Sequence, residues 1–167
     1  MNTQVSHVRR FMIRSLGVLA LLLSCCAQAG NAEPTPPAGE SVLAAIEEFE
    51  AEFVPLTQEQ RDMVMNTVVW TVEKQQFYKD RSERTIGWTD GEAVFIPNTV
   101  GGMLRVTVEI HEYLHITAGM ALGTLDPCHV NERLFSCDDS VEYRAARSLG
   151  WSGSKLTGYT CGISTCK

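Results

Sequence analysis

Residues 103–122 read MLRVTVEIHEYLHITAGMAL, and at their centre stands His111-Glu112-Tyr113-Leu114-His115. Apolar residues recur through this stretch at the spacing of a helix, and Gly123 supplies a C-terminal stop. On a helix, positions i and i+4 share a face, so the imidazoles of His111 and His115 can reach one metal ion. Glu112 lies about 100° around the axis from His111, beside such an ion and without occupying one of its coordination positions.

Working outward, Thr85-Ile86-Gly87-Trp88 and Ala93-Val94-Phe95-Ile96 flank Asp90-Gly91, a hairpin signature. Pro97 stops the second strand and suits a sheet edge, and the 98–102 loop leads into the central helix. Upstream, Val42, Ile46, Phe49 and Phe53 fall on one helical face, and Pro55 ends that helix. Thr57 opens a second helix as a capping-box residue with Gln60, with Met65, Val68, Val69 and Val72 expected on its apolar side. Downstream, Asp138 or Asp139 is expected to cap a last helix that runs to Leu149 before Gly150.

The chain has 167 residues, 44% of them hydrophobic, which is enough for one domain with a real core and excludes a low-complexity or disordered chain. A net charge of −6 argues against nucleic acid or an anionic membrane surface as the partner. Residues 1–29 read as a secretory signal peptide: Arg9, Arg10 and Arg14 with no acid, an apolar run over residues 16–23, then Ala27-Gln28-Ala29. That run is too short for a bilayer span, so no integral span is expected in the mature form. Arg9-Arg10-Phe11 resembles a twin-arginine signal, and Leu22-Leu23-Ser24-Cys25 resembles a lipoprotein box with Cys25 as a possible lipid anchor. The expectation is a periplasmic or secreted protein, with a lipoprotein as the alternative.

Cleavage after Ala29 removes three arginines and leaves 138 residues, with 11 basic groups against all 20 acids, net −9. Residues 30–39 read as a Pro-rich tether and 40–167 as a single domain. Cys128, Cys137, Cys161 and Cys166 remain, and an even number in an exported chain reads as two disulfides. Pairing of Cys128 with Cys137 and of Cys161 with Cys166 is expected because both loops are short. Spacings of nine and five do not suit a four-cysteine zinc knot.

The HExxH pattern of His111, Glu112 and His115 resembles that of the zincin metallopeptidases, over residues 85–149. The resemblance implies a small zincin-like α+β domain with a hairpin or edge strand packed beside the HExxH helix. It further implies bound Zn2+, a peptide or protein substrate held along the edge strand, and hydrolysis with Glu112 as general base. A catalytic site of this type has three protein ligands and an open position. Metzincins continue HExxHxxGxxH, but Ala118 and Ala121 stand at the required Gly and His positions, which excludes that subclass.

Gluzincins take a Glu from a second helix; Glu142, 27 residues after His115, is the first choice for the third ligand. Asp126 is the second: Gly123-Thr124-Leu125-Asp126 falls one residue short of the aspzincin GTxxD pattern. His129 is the third choice, in the loop between cysteines. Asp138 and Asp139 suit N-caps or acceptors for a ligand imidazole N–H. Tyr143, Tyr159, His129 and Arg144 are candidates for stabilising an oxyanion. The competing expectation is a non-enzymatic envelope or secreted binding module, with structural zinc closed by four protein ligands or with none.

Overall fold

A computed structural model describes residues 33–35, 39–79, 81, 85–135 and 137–152, all within one compact unit. Residues 1–29, expected to be a signal peptide, lie outside the described residues, as do Cys161, Cys166 and Tyr159. The described residues form an α+β fold, with five helices and a small mixed sheet. In chain order the elements are β1 (Glu33–Thr35), α1 (Gly39–Glu52), α2 (Gln58–Met65), β2 (Val68–Val72) and α3 (Lys74–Phe77). β3 (Trp88–Thr89), β4 (Ala93–Pro97), α4 (Gly102–Leu122) and α5 (Val141–Ser148) follow. Among the described residues, no helix is long and apolar enough to cross a membrane.

α1 forms on the expected stripe: Val42, Ile46 and Phe49 are fully buried and Phe53 packs at its end. Pro55 lacks the N–H that would continue the helix. Thr57 then caps α2 as a reciprocal box, its Oγ1 accepting from Gln60 N at 3.2 Å while Gln60 Oε1 accepts from Thr57 N at 2.9 Å.

The second helix is shorter than its apolar spacing suggests. It stops at Met65, and Val68–Val72 forms β2 instead. Valine and threonine are stiff at χ1 and fit a pleated surface better than a helix, and here the segment finds a parallel partner in β4. Pairing decides what periodicity leaves ambiguous.

The sheet order is β1-β2-β4-β3, with β2 and β4 parallel and both flanking pairs antiparallel. Two expectations change accordingly. The edge next to the hairpin is β3, not β4, because β4 gains β2 as a second neighbour. Within the stretch read as a tether, Glu33–Thr35 pairs with Val69–Thr71 as an edge strand, and α1 begins at Gly39. A proline is tolerated there because an edge strand needs only half its N–H groups. The hairpin turn follows its signature: Gly91 takes φ 94°, and Asp90 Oδ1 accepts from Glu92 N and Ala93 N at 2.9 Å each.

α4 is the axis of the domain. Residues 107–118 are all buried, because α1 and α5 pack on one side and the β3–β4 hairpin on another. Gly123 terminates it in the left-handed conformation, φ 73°. A helix buried all round is ordinarily apolar, so its buried Glu109, His111, Glu112 and His115 each require a partner. Glu109 has two, Arg105 Nε at 2.8 Å and Ser41 Oγ at 3.1 Å. The other three converge elsewhere.

Candidate metal centre

His111 and His115 project from one face of α4 with their Nε2 atoms 3.1 Å apart, as the i, i+4 spacing predicts. His129 Nε2 completes a triangle, 3.0 Å from His111 Nε2 and 3.1 Å from His115 Nε2. These are three of the chain's four histidines, and all three are buried. Together they form a group able to hold a metal ion; among the described residues, no fourth ligating side chain joins it.

The ring orientations fit that role. His111 Nδ1–H donates to Glu142 Oε1 at 2.8 Å, and His115 Nδ1–H donates to the Leu125 carbonyl. A neutral imidazole has one N–H, so these bonds leave the Nε2 lone pairs of His111 and His115 facing the centre of the triangle. Three imidazole nitrogens at that spacing could share one cation. His111, His115 and His129 would hold such an ion through their Nε2 atoms, and imidazole nitrogen is a donor that zinc accepts.

Burial favours the neutral, ligating form. It drives His115 down to about 2, aided by the proximity of His111 and His129, and His129 down to about 4 for the same reasons, with His111 the neighbour that counts. His111 is the exception: burial lowers it, but the charge and hydrogen bond of Glu142 raise it further, for a net upward shift. Glu112 is pushed up to about 7 by burial, opposed by His111 and assisted by Glu142.

The structure brings His129, rather than Glu142 or Asp126, beside the Nε2 atoms of His111 and His115. Glu142, completely buried in the first turn of α5, lies behind His111 on the Nδ1 side, and its oxygen accepts the ring N–H rather than joining the Nε2 triangle. Inward placement of Glu142 was legible from the helical spacing; which side of the ring it meets was not. Asp126 is also buried, but its two oxygens accept from Val130 N and Asn131 N at 2.9 Å each. It closes the turn that presents His129.

That turn carries strain. Asp126 and His129 have φ of 46° and 50°, sparsely populated for residues with a Cβ, and the His129 N–H to Asp126 O bond of 3.0 Å helps hold the pair. Cys128 and Cys137, on either side of the His129–Phe135 segment, are both disulfide-bonded. Both positive-φ residues thus belong to the turn that presents His129.

Phe135 escaped the sequence reading. It is fully buried and touches all three imidazoles, with ring centroids 4.9 Å from His111, 4.4 Å from His115 and 5.0 Å from His129. It forms the floor of the triad. Its signal was the apolar pair Leu134-Phe135 inside an otherwise polar loop. The segment is tied to α5 by Val141 N to Arg133 O at 2.9 Å and Glu142 N to Leu134 O at 3.1 Å.

A cleft opens over the triad, lined by His111, Glu112, His115 and His129, by Thr85, Gly87, Trp88 and Thr89 of the β3 edge, and by Leu125 and Pro127. Gly87 is required there: a Cβ would come 2.4 Å from Val108 Cγ1 and 2.7 Å from Glu112 Oε1. The remaining candidates lie elsewhere. Arg144 pairs with Glu48 at 2.8 Å and Glu52 at 3.1 Å on α1, and buried Tyr143 is not in the cleft wall. Asp138 and Asp139 are exposed, and Ser140 is the N-cap of α5, its Oγ accepting from Tyr143 N. Comparison with known proteins gives no match: no family model fits the chain, and neither a curated protein nor a solved structure is significantly similar to it.

Proposed function

We propose that the chain is an exported zinc metallopeptidase of zincin type, with His111, His115 and His129 as the metal ligands and Glu112 as the general base. The observation that carries this reading is one arrangement: three imidazole nitrogens 3.0–3.1 Å apart, with a carboxylate from the next residue of the same helix in the same cleft. Three imidazole nitrogens around one point suit zinc, which accepts imidazole ligands. The lack of a fourth ligand among the described residues favours a reactive site over a closed structural one.

When bound, zinc supplies Lewis acidity that polarises a peptide carbonyl and acidifies water. The chain's own residues do the rest. Glu112 takes the proton of the attacking water and delivers it to the leaving amine. The β3 edge offers backbone groups to an extended peptide, and Gly87 keeps that edge close to Glu112. Glu142 holds His111 in the tautomer with its lone pair on Nε2, and Asp126 does the corresponding work for the His129 turn.

The test combines metal content with turnover. Purified, tag-free chain should carry one zinc, and the Glu112→Gln variant should keep that zinc while losing hydrolysis of a peptide library. A chain without zinc, or a fully active Glu112→Gln variant, overturns the reading.

A further inference from the structure

Leu125 meets three parts of the domain at once. Its carbonyl accepts His115 Nδ1–H, and its side chain fills a notch between two glycines. A Cβ on Gly119, in the last turn of α4, would come 2.6 Å from Leu125 Cδ2. A Cβ on Gly91, at the hairpin tip, would lie 3.6 Å from both Leu125 methyls. Both walls of the notch are fixed. Gly119 is part of the α4 ladder, and Thr89 closes the hairpin tip, its Oγ1 accepting from Gly91 N at 3.0 Å and donating to Ala93 O at 2.7 Å. Without side chains on the two glycines, the leucine methyls approach backbone on both sides.

The backbone on either side of Leu125 is bent locally: Thr124 Oγ1 accepts from Asp126 N at 3.1 Å. Asp126 then accepts from Val130 N and Asn131 N and closes the turn that presents His129. One stretch, residues 124–131, therefore orients two of the three imidazoles. His115 is held through the Leu125 carbonyl and His129 through the Asp126 turn. His111 takes its acceptor from α5 instead, in Glu142.

We infer that Leu125 is a positioning residue for the metal centre: its side chain, seated in the Gly91–Gly119 notch, fixes the carbonyl that orients His115 and the turn that carries His129. This role rests on the reading of the three imidazoles as a metal centre, and it gives that centre a second anchor beside Glu142. Gly119 separates the role from simple helix stability. Alanine is the better helix former, so Gly119→Ala acting on α4 alone would leave zinc binding intact. If Leu125 positions the site, the added methyl displaces it and zinc affinity falls.

The test follows solvent exchange of the two imidazole Nδ1–H protons by NMR, in zinc-loaded and metal-free chain, together with zinc affinity by chelator competition. In Leu125→Ala the His115 proton should exchange at least about tenfold faster and zinc affinity should fall by about 10- to 100-fold, the usual cost of disturbing a group that orients a ligand. The His111 proton, held by Glu142, should keep its native rate. Gly119→Ala, which guards against misfolding of the first variant, should shift the same two readouts in the same direction. Leu125→Met, which conserves volume, should restore both. Equal acceleration of the His111 and His115 protons, or His115 exchange and zinc affinity at native values in both Leu125→Ala and Gly119→Ala, overturns the positioning role. A native chain that takes up no zinc counts against the metal centre alone, because exchange in the metal-free chain still decides what Leu125 does.

Discussion

Replacing Glu142 by glutamine removes one charge from a position that solvent does not reach and leaves the side-chain shape nearly unchanged. The native carboxylate accepts His111 Nδ1–H at 2.8 Å, so the variant weakens a charge-assisted hydrogen bond without opening a cavity. Bonds to charged groups contribute about 1.5–3 kcal/mol, roughly a 10- to 100-fold change, which is also the usual cost of losing a partner that orients a metal-bound histidine. Zinc affinity, measured by competition against a chromophoric chelator, should therefore fall by about 10- to 100-fold. Glu142 also sits in the first turn of α5, where the helix dipole favours an anion by about 0.3–1 kcal/mol. Urea denaturation of the metal-free chain reads this contribution together with the lost bond to His111, so zinc affinity is compared at matched folded fraction. Were Glu142 itself a ligand, the variant would lose far more affinity and a coordinated oxygen. An affinity within about twofold of the native chain would refute the positioning role.

Three further outcomes are expected. Phe135→Ala removes the ring beneath all three imidazoles and should destabilise the chain by about 3–5 kcal/mol in urea denaturation, with weakened zinc binding. Gly87→Ala places a methyl against Val108 and the Glu112 carboxylate; peptide hydrolysis should drop at least tenfold while zinc stoichiometry is retained, and an unaffected rate contradicts the close approach. Glu52 is held below the ordinary carboxylate range by its hydrogen bond to Arg133, with further help from the Arg133 and Arg144 charges. Because the folded value is depressed, its stabilisation is complete above the unfolded value and is lost as pH falls through the folded one. Glu52→Gln should therefore flatten the loss of stability below about pH 4.5, read from thermal midpoints across an acid series.

What could be read in the sequence was local. The α4 helix, its Gly123 stop, the Asp90-Gly91 turn and the Thr57–Gln60 box are each fixed by neighbouring residues, and the structure reproduces them. The His111–His115 face follows from helical geometry alone. What escaped depends on contacts distant in sequence. Val68–Val72 became a strand because β4 lies parallel to it, and that same pairing moved the sheet edge to β3. The loop conformation that turns His129 inward arises from two residues in the left-handed region and from Asp126 accepting backbone N–H groups four and five residues on. Spacing could not reveal it. Glu142 was correctly read as inward-facing, yet a helix face does not specify which nitrogen of a facing imidazole a carboxylate meets.

The central claim is that three imidazoles, from His111, His115 and His129, hold the metal. X-ray absorption at the zinc edge of the loaded chain tests it most directly. The expected spectrum has three imidazole nitrogens and one further light atom at about 2.0–2.1 Å, and His129→Ala should reduce the imidazole number to two. Sulfur neighbours, two imidazoles in the native chain, or a spectrum unchanged in His129→Ala would contradict it.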